Sequence, residues 1–202
     1  MSGIDFPIRT ERLLLRPFER ADVPHVARYH LLPAVQRYLV RPTRYREDVA
    51  AAVEVMRGQI GLQRPGDRLT LAMQRKGDLA LLGHVSLHWS DATAGQGELL
   101  FAIDPAYAGN GFLTEALTAM LNLAFDHFHI HRVFVRCDGR NHHSAKLMQK
   151  LGMRLEAHYR EHALFQGEWD EEMHFAILDR EWQASSKVRP MPLRERVRER
   201  VA

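Results

Sequence analysis

The sequence predicts an α/β (α+β) fold: one mixed, mostly antiparallel central sheet of about seven strands with helices on both faces. The 202 residues suffice for one buried core, and 46% hydrophobic with 26% charged residues is typical of a globular domain. Strand-like runs at 68–75, 80–89 and 97–103 are separated by short, turn-rich connections, which favours an antiparallel meander. Segments of helical periodicity before and after that meander supply helices for both faces of the sheet.

Three elements precede the meander. The run RLLLRPF at 12–18 predicts a first strand, closed by Pro17. A helix follows, for which Asp22 is a suitable N-cap with Pro24 in the first turn. Residues 47–62 have the periodicity of a second amphipathic helix that ends near Gly61.

Five elements follow the meander. A largely buried helix is predicted at 112–128, and the apolar run at 132–137 predicts a strand. A further helix is predicted at 141–151, ended by Gly152. Two last strands, at 154–162 and 172–178, are joined by the turn QGEWD.

The domain is expected to span 1–182, with a basic tail at 183–202. Residues 187–202 hold six Lys/Arg and two Glu, so the remaining residues carry 22 positive (28 − 6) and 23 negative (25 − 2) charges. The basicity therefore belongs to the tail. A solvated end is the favoured interpretation, ahead of packing on a partner subunit, as in a homodimer, or contact with nucleic acid such as RNA.

Composition also excludes several classes. No apolar run approaches the roughly 18 residues that span a bilayer, and acids and arginines occupy the N-terminal segment where a signal peptide needs an apolar core. We therefore expect no membrane partner and a cytoplasmic location. Cys137, the single cysteine, is expected to be a buried thiol on a strand. No metal site is expected from His127, His129 and His131, because alternate residues at a helix end point apart.

The stretch LLFAIDPAYAGNGFLTEAL, residues 99–117, is an apolar strand, a proline corner, two glycines and a helix. Backbone N–H groups freed at glycines and at the start of a helix form an anion site. The loop around Gly109 and Gly111 matches neither a Walker loop nor a dinucleotide loop. Taken on its own, the loop favours the interpretation of a tight turn that leads into a helix over that of an anion site.

This stretch resembles the acetyl-CoA loop of the Gcn5-related N-acetyltransferases (GNAT). The segments TERLLLRPFERAD at 10–22 and RNHHSAKLMQKLGM at 140–153 are similar to the opening strand and the second cofactor motif of the RimJ/RimL-type branch, which contains ribosomal-protein and spermidine acetyltransferases. The resemblance extends over nearly the whole chain. It implies the GNAT fold, acetyl-CoA (coenzyme A) as cosubstrate without a metal, and an amine acceptor.

The resemblance also implies which residues hold the cofactor. They lie in the strand, the glycine loop and the helix start, with one on the pantetheine arm: Phe101, Ala102, Ile103, Ala108, Gly109, Asn110, Gly111, Phe112, Leu113, Thr114 and Asn141. Ala108 and Leu113 depart from the family pattern, which has Gln or Arg at the first position and Gly or Ala at the second. This departure is expected to weaken cofactor binding more than the fold.

Acetyl transfer needs a neutral amine, a stabilised carbonyl oxygen and a protonated thiolate. Met148 stands where many members have a tyrosine and donates no proton, so Ser144, which matches the serine of the RimL-type branch, is the candidate for the thiolate. Glu98 is the candidate base, because it begins the strand that leads into the loop. A helix-start serine and a strand-end glutamate are the alternative interpretations. Glu115 is the rival base, and Asp104 fits turn chemistry.

The predicted function is N-acetylation by direct attack of an amine on acetyl-CoA. A protein N-terminal α-amine is the first choice of acceptor, and a small amine such as a polyamine or aminoglycoside is the second. Residues 28–62 hold only three carboxylates, Glu47, Asp48 and Glu54, which is few for a polycation site. A non-catalytic acyl-CoA-binding or RNA-associated module is the alternative from another class.

Overall fold

An eight-stranded sheet forms the centre of the computed structural model, which describes residues 4–38, 46–165 and 168–185. The strands are β1 (Ile8–Arg9), β2 (Leu13–Arg16), β3 (Arg68–Arg75), β4 (Leu81–Asp91), β5 (Gln96–Ile103), β6 (Arg132–Asp138), β7 (Arg154–Phe165) and β8 (Glu168–Leu178). Their order across the sheet is β1-β2-β3-β4-β5-β6-β8-β7. Every neighbouring pair is antiparallel except β5 and β6, which run parallel.

Helices cover both faces of the sheet, as predicted. They are α1 (Val23–His30), α2 (Pro33–Gln36), α3 (Arg46–Gly58), α4 (Phe112–Asn122), α5 (His142–Lys150) and α6 (Asp179–Ala184). Apolar side chains of α4, α5 and α6 pack with those of the strands in the larger core. Side chains of α1, α2 and α3 form a second core, which includes Ala72 of β3 and Ala102 of β5.

Most predicted elements are confirmed. The meander lies at the predicted strands, and the predicted helix at 112–128 is one helical segment in which α4 continues into a π-helical turn at Leu123–His127. The sheet has eight strands instead of about seven because the two-residue β1 is too short to show any periodicity. The two strands of the last hairpin are longer than predicted and extend to Phe165 and from Glu168.

One predicted helix boundary was wrong. Helix α3 ends at Gly58 instead of near Gly61, because the chain turns there to pair with β3: the Thr70 N–H donates to the Gln59 carbonyl at 2.8 Å. Asp22 is the N-cap residue of α1 with Pro24 in the first turn, as predicted, although its side chain makes no capping hydrogen bond. Its carboxylate accepts hydrogen bonds from both Nη atoms of Arg16 and from the Glu19 N–H.

The chain beyond the sheet is described only to Ser185. Helix α6 runs to Ala184, past the predicted domain boundary at 182, and Trp182 is fully buried in the larger core. The Trp182 indole donates to Asn122 Oδ1 at 2.9 Å, which ties α6 to α4. The basic segment at 187–202, for which solvated, subunit-packing and RNA-contacting interpretations were considered, lies outside the described residues.

Candidate active site

The parallel strands β5 and β6 separate shortly after they meet. They pair at only three positions, the last of which is Glu98 with Phe134. From Leu99 to Ile103, β5 remains paired with β4, and no described residue pairs with its other edge. The result is a wedge-shaped opening in the middle of the sheet, with unpaired backbone groups along one side.

Both segments with predicted cofactor residues leave the sheet at this opening. The glycine loop and α4 follow the carboxyl end of β5, and α5 follows the carboxyl end of β6. Because carboxyl ends of neighbouring parallel strands lie at the same edge of a sheet, the loop and the start of α5 are brought to one place. The predicted residues Gly109 and Asn141, which are 32 positions apart, thus belong to the same edge.

The glycine loop has a conformation that depends on its glycines. Gly109 and Gly111 have φ values of +77° and +79°, in the left-handed region that side chains disfavour. Gly111 is the N-cap of α4, so the first N–H groups of that helix have no side-chain cap. Upstream, the Asp104 carboxylate accepts from the Ala106 N–H at 2.9 Å and starts a 3₁₀ turn, which confirms its predicted turn role.

The two departures from the family pattern have different surroundings. Ala108 is exposed at the edge of the loop, so no long polar side chain reaches toward a ligand from that position. Leu113 packs against the larger core, beside the buried Phe112. Its side chain is therefore partly buried, whereas that of Ala108 is exposed.

The start of α5 is organised by Asn141. Its Oδ1 accepts from the backbone N–H of Ser144 at 3.1 Å, which caps the helix and confirms one of its two predicted roles. Ser144 is 9% exposed, and Met148, one turn further, is fully buried in the larger core. Of these two side chains, only Ser144 has a polar group.

The predicted base Glu98 is buried at the last paired position before the opening. Its Oε1 accepts from Arg136 Nε of β6 at 2.8 Å, and its Oε2 is 3.7 Å from His88 Nδ1 of β4. Glu98, His88 and Arg136 lie on the face of the sheet that carries α1, α2 and α3, as the pairing of Ala102 with His84 further along the same strands indicates. The exposed strand-end alternative for Glu98 was wrong, because only 6% of the residue is accessible.

The family model that matches this chain is the acetyltransferase (GNAT) domain, over residues 12–154. The chain belongs to the GNAT family. It is 30% identical over 177 residues to an uncharacterized N-acetyltransferase of Bacillus subtilis, covering 87% of this chain and 98% of that protein. A GNAT-family acetyltransferase structure from Bacillus anthracis has a TM-score of 0.76 and 28% identity, with 86% of this chain and 98% of that one covered.

A ribosomal-protein acetyltransferase is also among the relatives of this GNAT enzyme. The Escherichia coli enzyme that acetylates an alanine of ribosomal protein uS5 is 28% identical over 82 residues, which is 41% of this chain and 42% of that protein. These matches and the fold show that the chain is an N-acetyltransferase.

In this acetyltransferase, the carboxylate of Glu115, the rival base, accepts several hydrogen bonds. Its carboxylate accepts from the Thr10 hydroxyl at 2.5 Å and from Arg12 N and Nε, each at 2.7 Å. Partial burial would raise its pKa, but the hydrogen bonds from Thr10 and Arg12 outweigh burial and leave the pKa below its ordinary value. Such a carboxylate is a poor proton acceptor.

Sequence reasoning missed three charged or polar residues at this GNAT site: Arg12, His88 and Arg136. A signal existed for His88, because His84, Ser86 and His88 alternate with apolar residues in β4 and therefore share one face. Arg12 and Arg136 carry no comparable signal. The fold brings Arg12 to the site from the position just before β2, and it brings Arg136 there from β6.

Cys137 and the metal-ligating side chains form no further reactive or metal site among the described residues. Burial raises the pKa of the Cys137 thiol to about 11, as suits an inert thiol on a strand. Among the described residues, no group of three metal-ligating side chains forms a cluster. Within the same residues, no helix is both long enough and apolar enough to cross a membrane.

Proposed function

We propose that the chain transfers an acetyl group from acetyl-CoA to the α-amine of a protein N-terminus. The observation that carries the donor half is the opening between β5 and β6, with the glycine loop at its edge. Pantetheine contains two amides, which can pair with the free backbone edge of β5 as an added strand. In this arrangement Phe101, Ala102 and Ile103 hold the pantetheine arm.

The phosphates of acetyl-CoA bind at the loop. Backbone N–H groups from Gly109 to Thr114 surround the start of α4, where the helix dipole favours negative charge. Leu113 belongs to this segment and, with its side chain partly packed against the larger core, contributes its backbone N–H to the site in this proposal. Asn141 uses its Oδ1 for the helix cap, so its amide N–H groups are the ones available to the pantetheine arm.

The reaction is a direct displacement. The amine nitrogen attacks the thioester carbonyl carbon, the C–N bond forms, and the C–S bond breaks as the thiolate leaves. An ammonium first loses a proton to become nucleophilic, and the proton that nitrogen loses as the amide forms ends on sulfur. No covalent intermediate with the protein is needed.

Two side chains have the proton roles in this proposal. Glu98 takes the ammonium proton, directly or through water, from the buried position where the strands separate. Ser144 donates to the leaving thiolate from the first turn of α5. Met148, at the position of the family's tyrosine, is buried and has no proton to donate, so the proposal assigns this role to Ser144, one turn earlier.

The choice of a protein N-terminus as acceptor rests on similarity to a known enzyme and on the distribution of charge. The related Escherichia coli enzyme is named for N-acetylation of an alanine of ribosomal protein uS5, and that name supports a protein acceptor. A polyamine needs free carboxylates, but Glu54 already forms ion pairs with Arg20 and Arg57. This pairing lowers the count of carboxylates available to a polycation.

The domain in this proposal extends through α6, because Trp182 belongs to the core. The basic tail that follows has no catalytic role in it, and neither a homodimer nor RNA contact is required. The location proposed for the enzyme is the cytoplasm, where acetyl-CoA and new protein N-termini are both present.

Calorimetric titration and a thiol-release assay test the proposal together. We expect acetyl-CoA to bind and coenzyme A to be released in the presence of N-terminal peptides, more than with polyamines or aminoglycosides. Binding without turnover on any of these amines would favour the non-catalytic acyl-CoA-binding module. Absence of acetyl-CoA binding would contradict both.

Variants separate the two proton roles from binding. Ser144→Ala and Glu98→Gln are expected to lower turnover while the acetyl-CoA Kd stays within about twofold, because neither residue holds the phosphates. Ser90→Ala, at an exposed serine of β4, is the matched control. Unchanged turnover in either test variant would remove that residue from the mechanism.

A further inference from the structure

Arg12 contacts the phosphate loop from a distant part of the sequence. Its Nη1 donates to the Asn110 carbonyl at 3.0 Å, and its guanidinium carbon lies 4.5 Å from the centre of the Phe112 ring. Its Nη2 is 3.4 Å from the place where a Cβ on Gly111 would be. The guanidinium therefore lies directly beside the left-handed turn that leads into α4.

The same guanidinium neutralises an acid at the helix start. Glu115 is in the first turn of α4, and Arg12 Nε donates to its Oε2 at 2.7 Å. Without Arg12, a mostly buried carboxylate would stand next to the N–H groups proposed to bind phosphate. Two like charges in that position repel, so Arg12 sets the sign of the local potential.

One edge of the guanidinium is left for a ligand. Nε and Nη1 are used by Glu115 and Asn110, while Nη2 donates to none of the residues that the structure describes. The Arg12 side chain is 43% exposed, so Nη2 is within reach of solvent. Ala108 offers no polar side chain to the loop, and Arg12 is a cation that can take that role from another strand.

We propose that Arg12 is a positioning and specificity residue of the phosphate site. It holds the Asn110–Gly111 turn, masks the charge of Glu115, and donates Nη2 to a phosphate of acetyl-CoA. This inference rests on the proposed function, because it requires acetyl-CoA at the loop. It adds a side chain to a site otherwise made of backbone N–H groups.

The test compares a ligand with phosphates and one without. Acetyl-CoA and S-acetylpantetheine are titrated into the full chain, by calorimetry and by NMR respectively. Arg12→Gln is expected to weaken acetyl-CoA binding by at least about tenfold, as for loss of a charged hydrogen bond, while S-acetylpantetheine binding is unchanged. Arg12→Lys keeps the charge without the planar fork and is expected to recover part of the loss.

The Glu115 variant shows whether charge masking contributes. In the Arg12→Gln background, Glu115→Gln is expected to recover part of the acetyl-CoA affinity, because the uncompensated carboxylate is gone. The slope of log Kd against log salt concentration is expected to be smaller in Arg12→Gln than in the wild type. Arg9→Gln, at an exposed arginine of β1, is the matched control.

Different outcomes contradict different statements. If Arg12→Gln binds acetyl-CoA as the wild type does, the inference is wrong and the proposed function stands. If it loses both ligands equally and Glu115→Gln restores nothing, Arg12 only supports the fold, which a lower melting temperature would show independently. If the wild type binds no acetyl-CoA, the proposed function and the inference both fail.

Discussion

Two buried histidines predict that the protein loses stability in mild acid. His30 of α1 is 4% exposed, and neither of its ring nitrogens has a hydrogen-bond partner among the described residues. Its ring lies 5.3 Å from that of His84, whose Nδ1 is 2.9 Å from the Tyr29 hydroxyl. Burial lowers the pKa of His30 to about 4, and burial together with the charge of His30 lowers the pKa of His84 to about 3.

The sign and size of the effect follow from proton uptake. In the unfolded chain a histidine takes up a proton near its ordinary pKa of about 6.5, whereas folded His30 stays neutral until about pH 4. Between these values the unfolded state binds more protons, so the free energy of unfolding falls as the pH falls. At pH 5 the loss due to His30 alone is about 2 kcal/mol.

His30→Leu tests this reasoning, because it removes the buried imidazole without breaking a described hydrogen bond. Urea unfolding at pH 7, 6 and 5, followed by tryptophan fluorescence, gives the free energies. We expect the free energy of unfolding of the variant to equal or exceed that of the wild type at pH 7. At pH 5 we expect the difference in favour of the variant to be larger by about 2 kcal/mol. His25→Leu, on the exposed side of α1, is the control. A difference between His30→Leu and the wild type that stays constant with pH would refute the argument.

Two further predictions concern packing. In Gly83→Ala the new Cβ would stand 2.2 Å from the Ala102 carbonyl oxygen of β5, so we expect a loss of about 3 kcal/mol in urea unfolding. Gly77→Ala, with no atom within 4 Å, is expected to change stability by less than about 0.5 kcal/mol, and equal losses in the two would contradict the clash. Trp182→Phe removes the bond to Asn122 and is expected to cost about 1–2 kcal/mol in the same assay, whereas an unchanged midpoint would show that the bond contributes nothing.

Local pattern predicted most of the sheet. The strands of the meander alternate or run apolar between turn residues, and such patterns depend only on neighbours in sequence. The end of α3 could not be predicted in this way, because the Gln59 carbonyl accepts from the N–H of Thr70 in β3, eleven residues further along the chain. The two-residue β1 has no periodicity at all, and only its partner β2 makes it a strand.

The candidate site likewise has some features that local sequence pattern predicts and others that it does not. The glycine loop and Asn141 are recognisable because their backbone roles require particular residues at particular spacings, and the left-handed Gly109 and Gly111 bear this out. Cofactor binding and the proton roles of Glu98 and Ser144 stay predictions. The ion pair of Glu98 with Arg136 joins residues 38 positions apart, and no local pattern indicates it.

Strand β5 connects the two halves of the proposed reaction. Its residue Glu98 faces α1, α2 and α3, while its carboxyl end carries the loop to Gly111 and α4. In the proposed mechanism, a change at Glu98 is therefore expected to alter proton transfer with the donor site intact, and a change at Gly111 is expected to alter the donor site alone. Gly83→Ala differs from both, because its clash displaces the backbone of β5 itself between these two positions. In a folded fraction of that variant, acetyl-CoA affinity and turnover should fall together, which neither single-site variant would show.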